Sequence, residues 1–157
     1  MLQRIQSVFL LLAAVCALLT WFFPVETLHL AGGPIFFRPN GIFQADGTEV
    51  EYAELPIPFH VLHTIIGVVM LVCVFLYGNR PRQMRIVRAA WLMALAAGVL
   101  QFVSSNSLHA FMADEGDFTS SYGVSFFLPL GVILFALLAE RAIRKDENLV
   151  RSADRLR

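Results

Sequence analysis

Four long apolar runs constrain this 157-residue chain more than any other feature of its sequence. Each run is about long enough for a helix to cross the roughly 30 Å of hydrocarbon in a bilayer. Hydrophobic residues make up 57% of the chain and charged residues 15%, a balance that argues against a small water-soluble domain. We therefore predict an all-α membrane protein, a bundle of four transmembrane helices at residues 5–23, 59–77, 86–103 and 122–139.

The first run is predicted to remain in the protein as a helix instead of being cleaved as a signal peptide. Arg4 precedes the run, Trp21 lies where an interfacial aromatic residue is expected, and Pro24 follows. The apolar region is longer than that of a usual signal peptide, and no small-residue cleavage site follows it.

The charges are sorted along the chain, and this sorting predicts which way the spans face. The turn between the second and third runs carries Arg80, Arg82, Arg85 and Arg88. Because basic loops stay in the cytoplasm, we place this turn and both termini inside. Eleven of the 12 basic residues then lie inside and eight of the 12 acidic residues lie outside. A nucleic-acid surface is disfavoured, since the arginines flank apolar spans without interleaved aromatic residues.

The first outer loop, residues 24–58, is long and has a β-like pattern. Asn40-Gly41 and Asp46-Gly47 lie between short β-prone runs, which is a strong hairpin signal. An isolated hairpin is only marginally stable, so it should pack on the helices or on the second outer loop. We predict a small antiparallel β-sheet that caps the outer end of the bundle.

Two further segments lie outside the spans. The second outer loop, residues 104–121, carries an acidic stretch at 114–117, for which a solvated loop is favoured over a cation site. Residues 140–157 are predicted to continue the fourth helix into the cytoplasm as a basic extension with a narrow apolar stripe. That stripe would lie on anionic lipid, pair with a partner helix or remain solvated.

Small residues and one proline shape the predicted third and fourth helices. Ala90, Ala94 and Gly98 repeat every fourth position, which lets another helix approach closely. Packing within the chain is favoured over a dimer face. Pro129 lies inside the fourth run, where it deprives the Ser125 carbonyl of its hydrogen bond and favours a kink.

The histidines provide the one candidate for a cofactor site. His60 and His63 share a face of the second helix, and His109 lies in the second outer loop beside acidic residues. Ionisable groups at membrane depth are functional candidates by default, and neutral imidazole is a metal ligand. A metal, haem or quinone site is the functional interpretation. Histidines bonded to loop backbone are the alternative, and no cofactor is predicted.

Catalytic motifs are missing from the sequence. It contains no phosphate-binding loop, nucleophile elbow or zinc-protease histidine pair. Gln101 is the only long polar side chain deep in a predicted span, whereas pumps and proton-coupled carriers generally need more. These observations favour a protein that is not an enzyme.

Two short segments carry a resemblance to a known family. The opening Met1-Leu2-Gln3-Arg4-Ile5-Gln6-Ser7 and the turn Tyr77-Gly78-Asn79-Arg80-Pro81-Arg82-Gln83-Met84-Arg85, with the four-run layout, resemble a bacterial inner-membrane family known as domain of unknown function 4293. The resemblance implies a four-pass protein of the cytoplasmic membrane. It implies no activity and transfers no functional residue.

The leading hypothesis is an accessory or scaffold subunit of a membrane assembly, with a membrane-protein partner or a second copy of the chain as its contact. One alternative is a small redox or metal-binding protein that uses the outer histidines. Another is a transporter of small molecules along the kinked fourth helix.

Overall fold

The computed structural model describes residues 5–30, 32–50, 58–113 and 116–155. These residues form four helices and four strands, in the order α1 Ile5–Leu19, β1 Glu26–Leu30, β2 Gly33–Arg38, β3 Gly41–Gln44, α2 Phe59–Phe75, α3 Arg80–Ala113, β4 Thr119–Tyr122 and α4 Val124–Arg155. A short 3₁₀ turn, Leu76–Gly78, follows α2. The protein is therefore mostly helical with one small sheet.

The four helices pack as a ring in which α1 and α3 each contact both α2 and α4. Their shared core is built largely of alanine: Ala13, Ala14, Ala17, Ala90, Ala94, Ala97, Ala136 and Ala139. Small side chains allow the helix backbones to approach closely, so dispersion contacts hold the bundle together. Gly67 shows how close the approach is, because a Cβ there would lie 3.0 Å from the side chain of Leu18.

Three helices are long and apolar enough to cross a membrane: Phe59–Gly78, which includes the 3₁₀ turn, Arg80–Ala113 and the Val124–Val150 part of α4. In the described part of the chain the first helix, Ile5–Leu19, has 15 residues and is shorter than the predicted span of residues 5–23. At 1.5 Å per residue such a helix covers about 22 Å.

The early end of α1 has a local cause. The Thr20 hydroxyl donates to the carbonyl of Ala17 at 2.7 Å. The next two amides bond back to carbonyls only three residues earlier, at 3.3 and 3.1 Å, which tightens the chain into a turn. Pro24 then prevents the helix from resuming, because proline has no amide hydrogen.

Helix α3 extends past the predicted span of 86–103 at both ends. The basic stretch forms its first turns, because the Asn79 side chain accepts the Arg82 amide at 3.2 Å and Pro81 suits a first helical turn. At the other end the helix continues to Ala113, so much of the predicted loop 104–121 is helical. Helix α4 runs on unbroken into the C-terminal segment, as the sequence predicts.

The sheet is antiparallel throughout, with the strand order β3-β2-β1-β4. The predicted hairpin is present: Arg38 pairs with Gly41 across a two-residue turn.

At the second predicted turn Gly47 has a φ of +84°, which favours glycine. Thr48 donates to the Asp46 carboxylate through its hydroxyl and its amide, which lowers the pKa of Asp46. After this turn the chain pairs with β3 at one isolated bridge, between Phe43 and Glu49, and residues 51–57 lie outside the described residues.

Strand β4 was not predicted. It comes from the second loop and pairs with β1 in the register Glu26↔Tyr122 to His29↔Thr119. The sheet packs on the ends of α2 and α3 through a second apolar cluster that includes Phe37, Phe59 and Met112. The bundle thus has a sheet end, and an arginine end where α2 turns into α3.

Gly123, between β4 and α4, gives a direct test of this packing. A Cβ at this position would overlap the backbone carbonyl oxygen of Pro24, whose position is fixed by the adjoining strand. We expect Gly123→Ala to lower the free energy of unfolding by about 2 kcal/mol or more, measured as a lower thermal midpoint in detergent. Gly78→Ala is the matched control, because its Cβ meets open space. Equal midpoints for the two variants would contradict the described junction.

Candidate functional site

A buried carboxylate lies where the sheet meets the bundle. Glu26 is the first residue of β1 and is 0% exposed. Alternation along the strand places Glu26 and Leu28 on the inward side, and Leu28 joins the apolar cluster under the sheet. An isolated buried carboxylate is very costly, so its partners decide whether this end of the protein is stable.

Both partners of Glu26 come from α3. The Ser105 hydroxyl donates to Oε2, and the imidazole Nε2 of His109 contacts Oε1. Ser105 and His109 are four residues apart and therefore share one face of the helix. We call Glu26, Ser105 and His109 the Glu26 cluster. Its two contacts join the first strand of the sheet to the last turns of α3.

The Glu26 cluster contains the residue types of a hydrolase triad, but its connections differ. In a triad the histidine takes the proton of the serine and the carboxylate orients the histidine. Here Ser105 donates directly to the carboxylate and is itself 0% exposed. The geometry therefore fits a structural clamp and not an activated nucleophile.

Gln101 extends the polar face of α3 by one more turn. It is 1% exposed, and neither its amide nitrogen nor its amide oxygen has a hydrogen-bond partner among the described residues. The oxygens of Gln6 and Gln83 and the Nε2 of His63 are also buried and unpaired. Buried polar atoms normally bond to protein or to ordered water, so these positions are where water would be held in the bundle.

The structure gives the three predicted histidines separate partners. His60 Nδ1 lies 3.3 Å from the Pro39 carbonyl, and its ring packs edge-on against Trp21 at 5.2 Å. His63 is buried in α2, with Nδ1 2.8 Å from the Phe59 carbonyl. His109 belongs to the Glu26 cluster. Within the described ranges, no three His, Cys, Asp or Glu side chains lie close enough together to hold a metal ion.

The predicted packing residues lie inside the bundle. Ala90 and Ala94 are each 1% exposed. A Cβ on Gly98 would lie 3.5 Å from Pro129 of α4, an ordinary van der Waals distance, so Gly98 faces the proline. Pro129 lies within the continuous helix α4, and the kink at this position remains a prediction.

The four predicted topology arginines lie on the first turns of α3. Arg88 binds Glu140 of α4, and Arg80 lies 3.9 Å from Glu147. Arg85 Nε donates to the Pro81 carbonyl at 3.4 Å. Arg82 is exposed, and its backbone amide is capped by Asn79. Two of the arginines therefore join α3 to α4.

Sequence reasoning missed Glu26, Ser105 and Glu140. Glu26 binds residues 79 and 83 positions away, and no local pattern reports such pairings. One signal was present in the sequence. Glu26 lies two residues before Leu28, and in a strand two such residues point to the same side of the sheet. That register predicts a buried acid, which has to find a partner.

A double-mutant cycle tests the Glu26 cluster. We expect Glu26→Ala and His109→Ala each to lower the free energy of unfolding, with a coupling of about 1 kcal/mol or more, because either variant removes the contact between the carboxylate and the imidazole. The measurement is the unfolding midpoint of the four proteins in one detergent. The cycle Glu49→Ala with His29→Ala, two exposed residues of the same sheet region, is the control. Purely additive effects for Glu26 and His109 would rule out the clamp.

Comparison with known proteins identifies the family of the chain but no activity. No curated protein matches the sequence. The model of a family described as Domain of unknown function (DUF4293) matches residues 2–156. Because the match covers nearly the whole chain, the protein belongs to the DUF4293 family.

Proposed function

We propose that the chain is an integral protein of the bacterial inner membrane that acts as an accessory or scaffold subunit and not as an enzyme. The observation that carries the membrane proposal is the apolar outer surface of all four helices. Large apolar side chains between 39% and 60% exposed line it: Val8, Leu11, Leu12, Val15, Val61, Ile65, Val68, Val72, Leu92, Leu95, Val99, Val103, Phe127, Leu130 and Leu134. Soluble monomers rarely expose continuous apolar surface on this scale.

The segment after α1 supports a fourth crossing. Trp21, Phe22 and Phe23 are 45%, 74% and 39% exposed, so they prolong the apolar surface beyond the last residue of the short helix. Aromatic side chains of this kind favour the interface between hydrocarbon and water. In the proposed arrangement α1 ends at that interface with these rings as its anchor.

The arginine distribution supports an orientation. Arg80, Arg82, Arg85 and Arg88 all lie at the arginine end, as do Arg141, Arg144 and Lys145 of α4. Under the positive-inside rule this end faces the cytoplasm. The sheet end then faces outward.

The scaffold proposal depends on the sheet. Its β4 edge, Thr119–Tyr122, is exposed at all four residues and, among the residues that the structure describes, pairs on one side only, with β1. The opposite edge strand β3 is partly covered by the bridge from Phe43 to Glu49. An open edge strand pairs readily with a strand from another chain, and the Glu26 cluster holds this edge rigidly on the bundle. We infer that β4 is the contact for a membrane-protein partner or a second copy.

Sidedness is tested by thiol labelling in intact cells. In a chain with Cys16→Ala and Cys73→Ala, we expect Asp46→Cys at the sheet end to react with an impermeant maleimide. We expect Asn148→Cys on α4 to react only after the cells are lysed. Both positions are exposed in the structure, so exposure does not bias the comparison. The reverse pattern would overturn the orientation, and a chain that stays in solution without detergent would overturn membrane insertion.

The open edge is tested by site-specific photo-crosslinking in the membrane. A crosslinker at Ser120 is expected to give one discrete product, which is lost when Thr119 and Ser121 are both changed to Lys, because charged edge strands resist pairing. The control places the crosslinker at Asn106, an exposed residue of α3 near the same end. Identical products from Ser120 and Asn106, or a product unaffected by the lysines, would count against β4 as the contact.

A further inference from the structure

The arginine end contains a second buried carboxylate, and it organises a cluster of cations. The Glu140 side chain is 8% exposed and lies between α3 and α4. Its Oε1 accepts hydrogen bonds from Arg88, with Nε at 3.2 Å, and from Arg144 Nη2 at 3.1 Å. Its Oε2 accepts the indole N–H of Trp91 at 3.2 Å. Both carboxylate oxygens are therefore occupied.

A cleft of about 220 Å³ opens beside this carboxylate, lined by Arg88, Trp91, Leu137, Glu140, Arg141 and Arg144. Three arginines against one carboxylate leave the cleft with two excess positive charges. The cleft is therefore a locally cationic patch at the arginine end of the bundle.

The guanidinium groups keep unused donors. The side chains of Arg88 and Arg144 are 50% and 61% exposed. Arg88 donates to Glu140 only through Nε and Nη2. No hydrogen bond or ion pair in the described part of the chain engages the side chain of Arg141. Because a guanidinium carries five N–H donors in a planar fork, these groups suit a phosphate.

We propose that this cleft binds the phosphodiester of an anionic phospholipid. The proposal rests on the proposed membrane insertion. The helix faces that continue from the cleft favour lipid over free phosphate. Leu134 and Leu130 lie seven and eleven residues before Arg141 on the same face of α4 and are 55% and 60% exposed, and Leu92, four residues after Arg88 on α3, is 48% exposed. A phosphate held by Arg88 and Arg141 would leave its acyl chains beside these residues, in the hydrocarbon.

A neighbouring cleft indicates which anionic lipid binds best. It measures about 380 Å³, is lined by Arg141, Arg144, Lys145, Asn148 and Leu149, and shares its two arginines with the first cleft. Two adjoining cationic clefts match a lipid with two phosphodiesters. The first cleft lies between α3 and α4, and the second lies on α4 alone. Because basic pockets between transmembrane helices on the cytoplasmic side suit cardiolipin, we infer that cardiolipin binds more tightly than phosphatidylglycerol.

Glu140 is a positioning residue in this site. Its oxygens are already bonded, so it does not contact the lipid, but it holds Arg88 and Arg144 in place across the two helices. The Arg141 side chain makes no hydrogen bond or ion pair with any described residue. Its substitution therefore removes lipid affinity without removing a contact between helices.

The test uses the full chain in nanodiscs of phosphatidylcholine containing cardiolipin, with bound lipid counted by native mass spectrometry. We expect Arg141→Gln to reduce cardiolipin retention about fivefold, since one cation near anionic lipid contributes about 1 kcal/mol. Arg82→Gln, which removes an exposed arginine from the same end outside the cleft, should change retention less than twofold. Thermal midpoints of both variants should match that of the unchanged protein.

Further measurements distinguish a lipid site from a soluble-phosphate site, from general charge attraction and from failed membrane insertion. Excess glycerol phosphate or inorganic phosphate should leave cardiolipin bound, and displacement at matched concentration would assign the cleft to soluble phosphate and overturn the lipid proposal. Equal losses for Arg82→Gln and Arg141→Gln would overturn a local site in favour of general attraction. A chain that enters nanodiscs but shows no preference for anionic lipid refutes only this site. A chain that does not enter them refutes the proposed membrane insertion as well.

Discussion

A protein with an apolar outer surface has to satisfy its polar groups from within, and the buried carboxylate of Glu26 is where this constraint acts most strongly. Glu26 lies at 0% exposure on the first strand after α1. Its bonds to Ser105 and His109 determine where β1 lies relative to α3. The remaining strands follow, because β2 and β4 pair with the two sides of β1 and β3 pairs with β2.

The same constraint explains the smaller polar contacts of the bundle. The Thr20 hydroxyl donates to the Ala17 carbonyl within α1. The Ser125 hydroxyl donates to the Thr20 carbonyl at 3.1 Å, which joins the end of α1 to the start of α4. At the opposite end Gln83 donates to the Cys73 carbonyl at 2.8 Å, which ties α3 to the end of α2. In low dielectric such bonds are strong and costly to lose, so a few of them orient helices whose core is otherwise alanine.

The sequence alone predicted the local features well, because their causes are local. Apolar runs of about twenty residues predicted helices, and the Asp46-Gly47 pair predicted a turn whose glycine has a positive φ. The stretch from Ser104 to Ser107 looked like a loop, because serines lower helix propensity. In the structure Ser105 bonds to Glu26 and Ser107 donates to the Val103 carbonyl at 3.0 Å, so both hydroxyls are satisfied within the helix.

Features with distant causes were not predictable in this way. Strand β4 is a short run of serine and threonine with a terminal tyrosine, and it has no apolar alternation. It becomes a strand because it can pair with the edge of β1, whose residues lie 90 to 96 positions earlier in the chain than their partners. The Glu26 cluster was missed for the same reason, since its two bonds join residues far apart in the chain.

The two buried carboxylates leave opposite ends of the molecule in different electrostatic states. Glu26 is bonded by a serine and a histidine, and no arginine or lysine of the described residues bonds to it. Glu140 is bonded by two arginines and a tryptophan, and Arg141 lies beside it with no hydrogen bond or ion pair to the described part of the chain. A carboxylate that only neutralised charge would need one of those arginines. The arginines at Glu140 therefore keep exposed donors that suit the proposed phosphate, whereas both oxygens of Glu26 are bonded within the described residues.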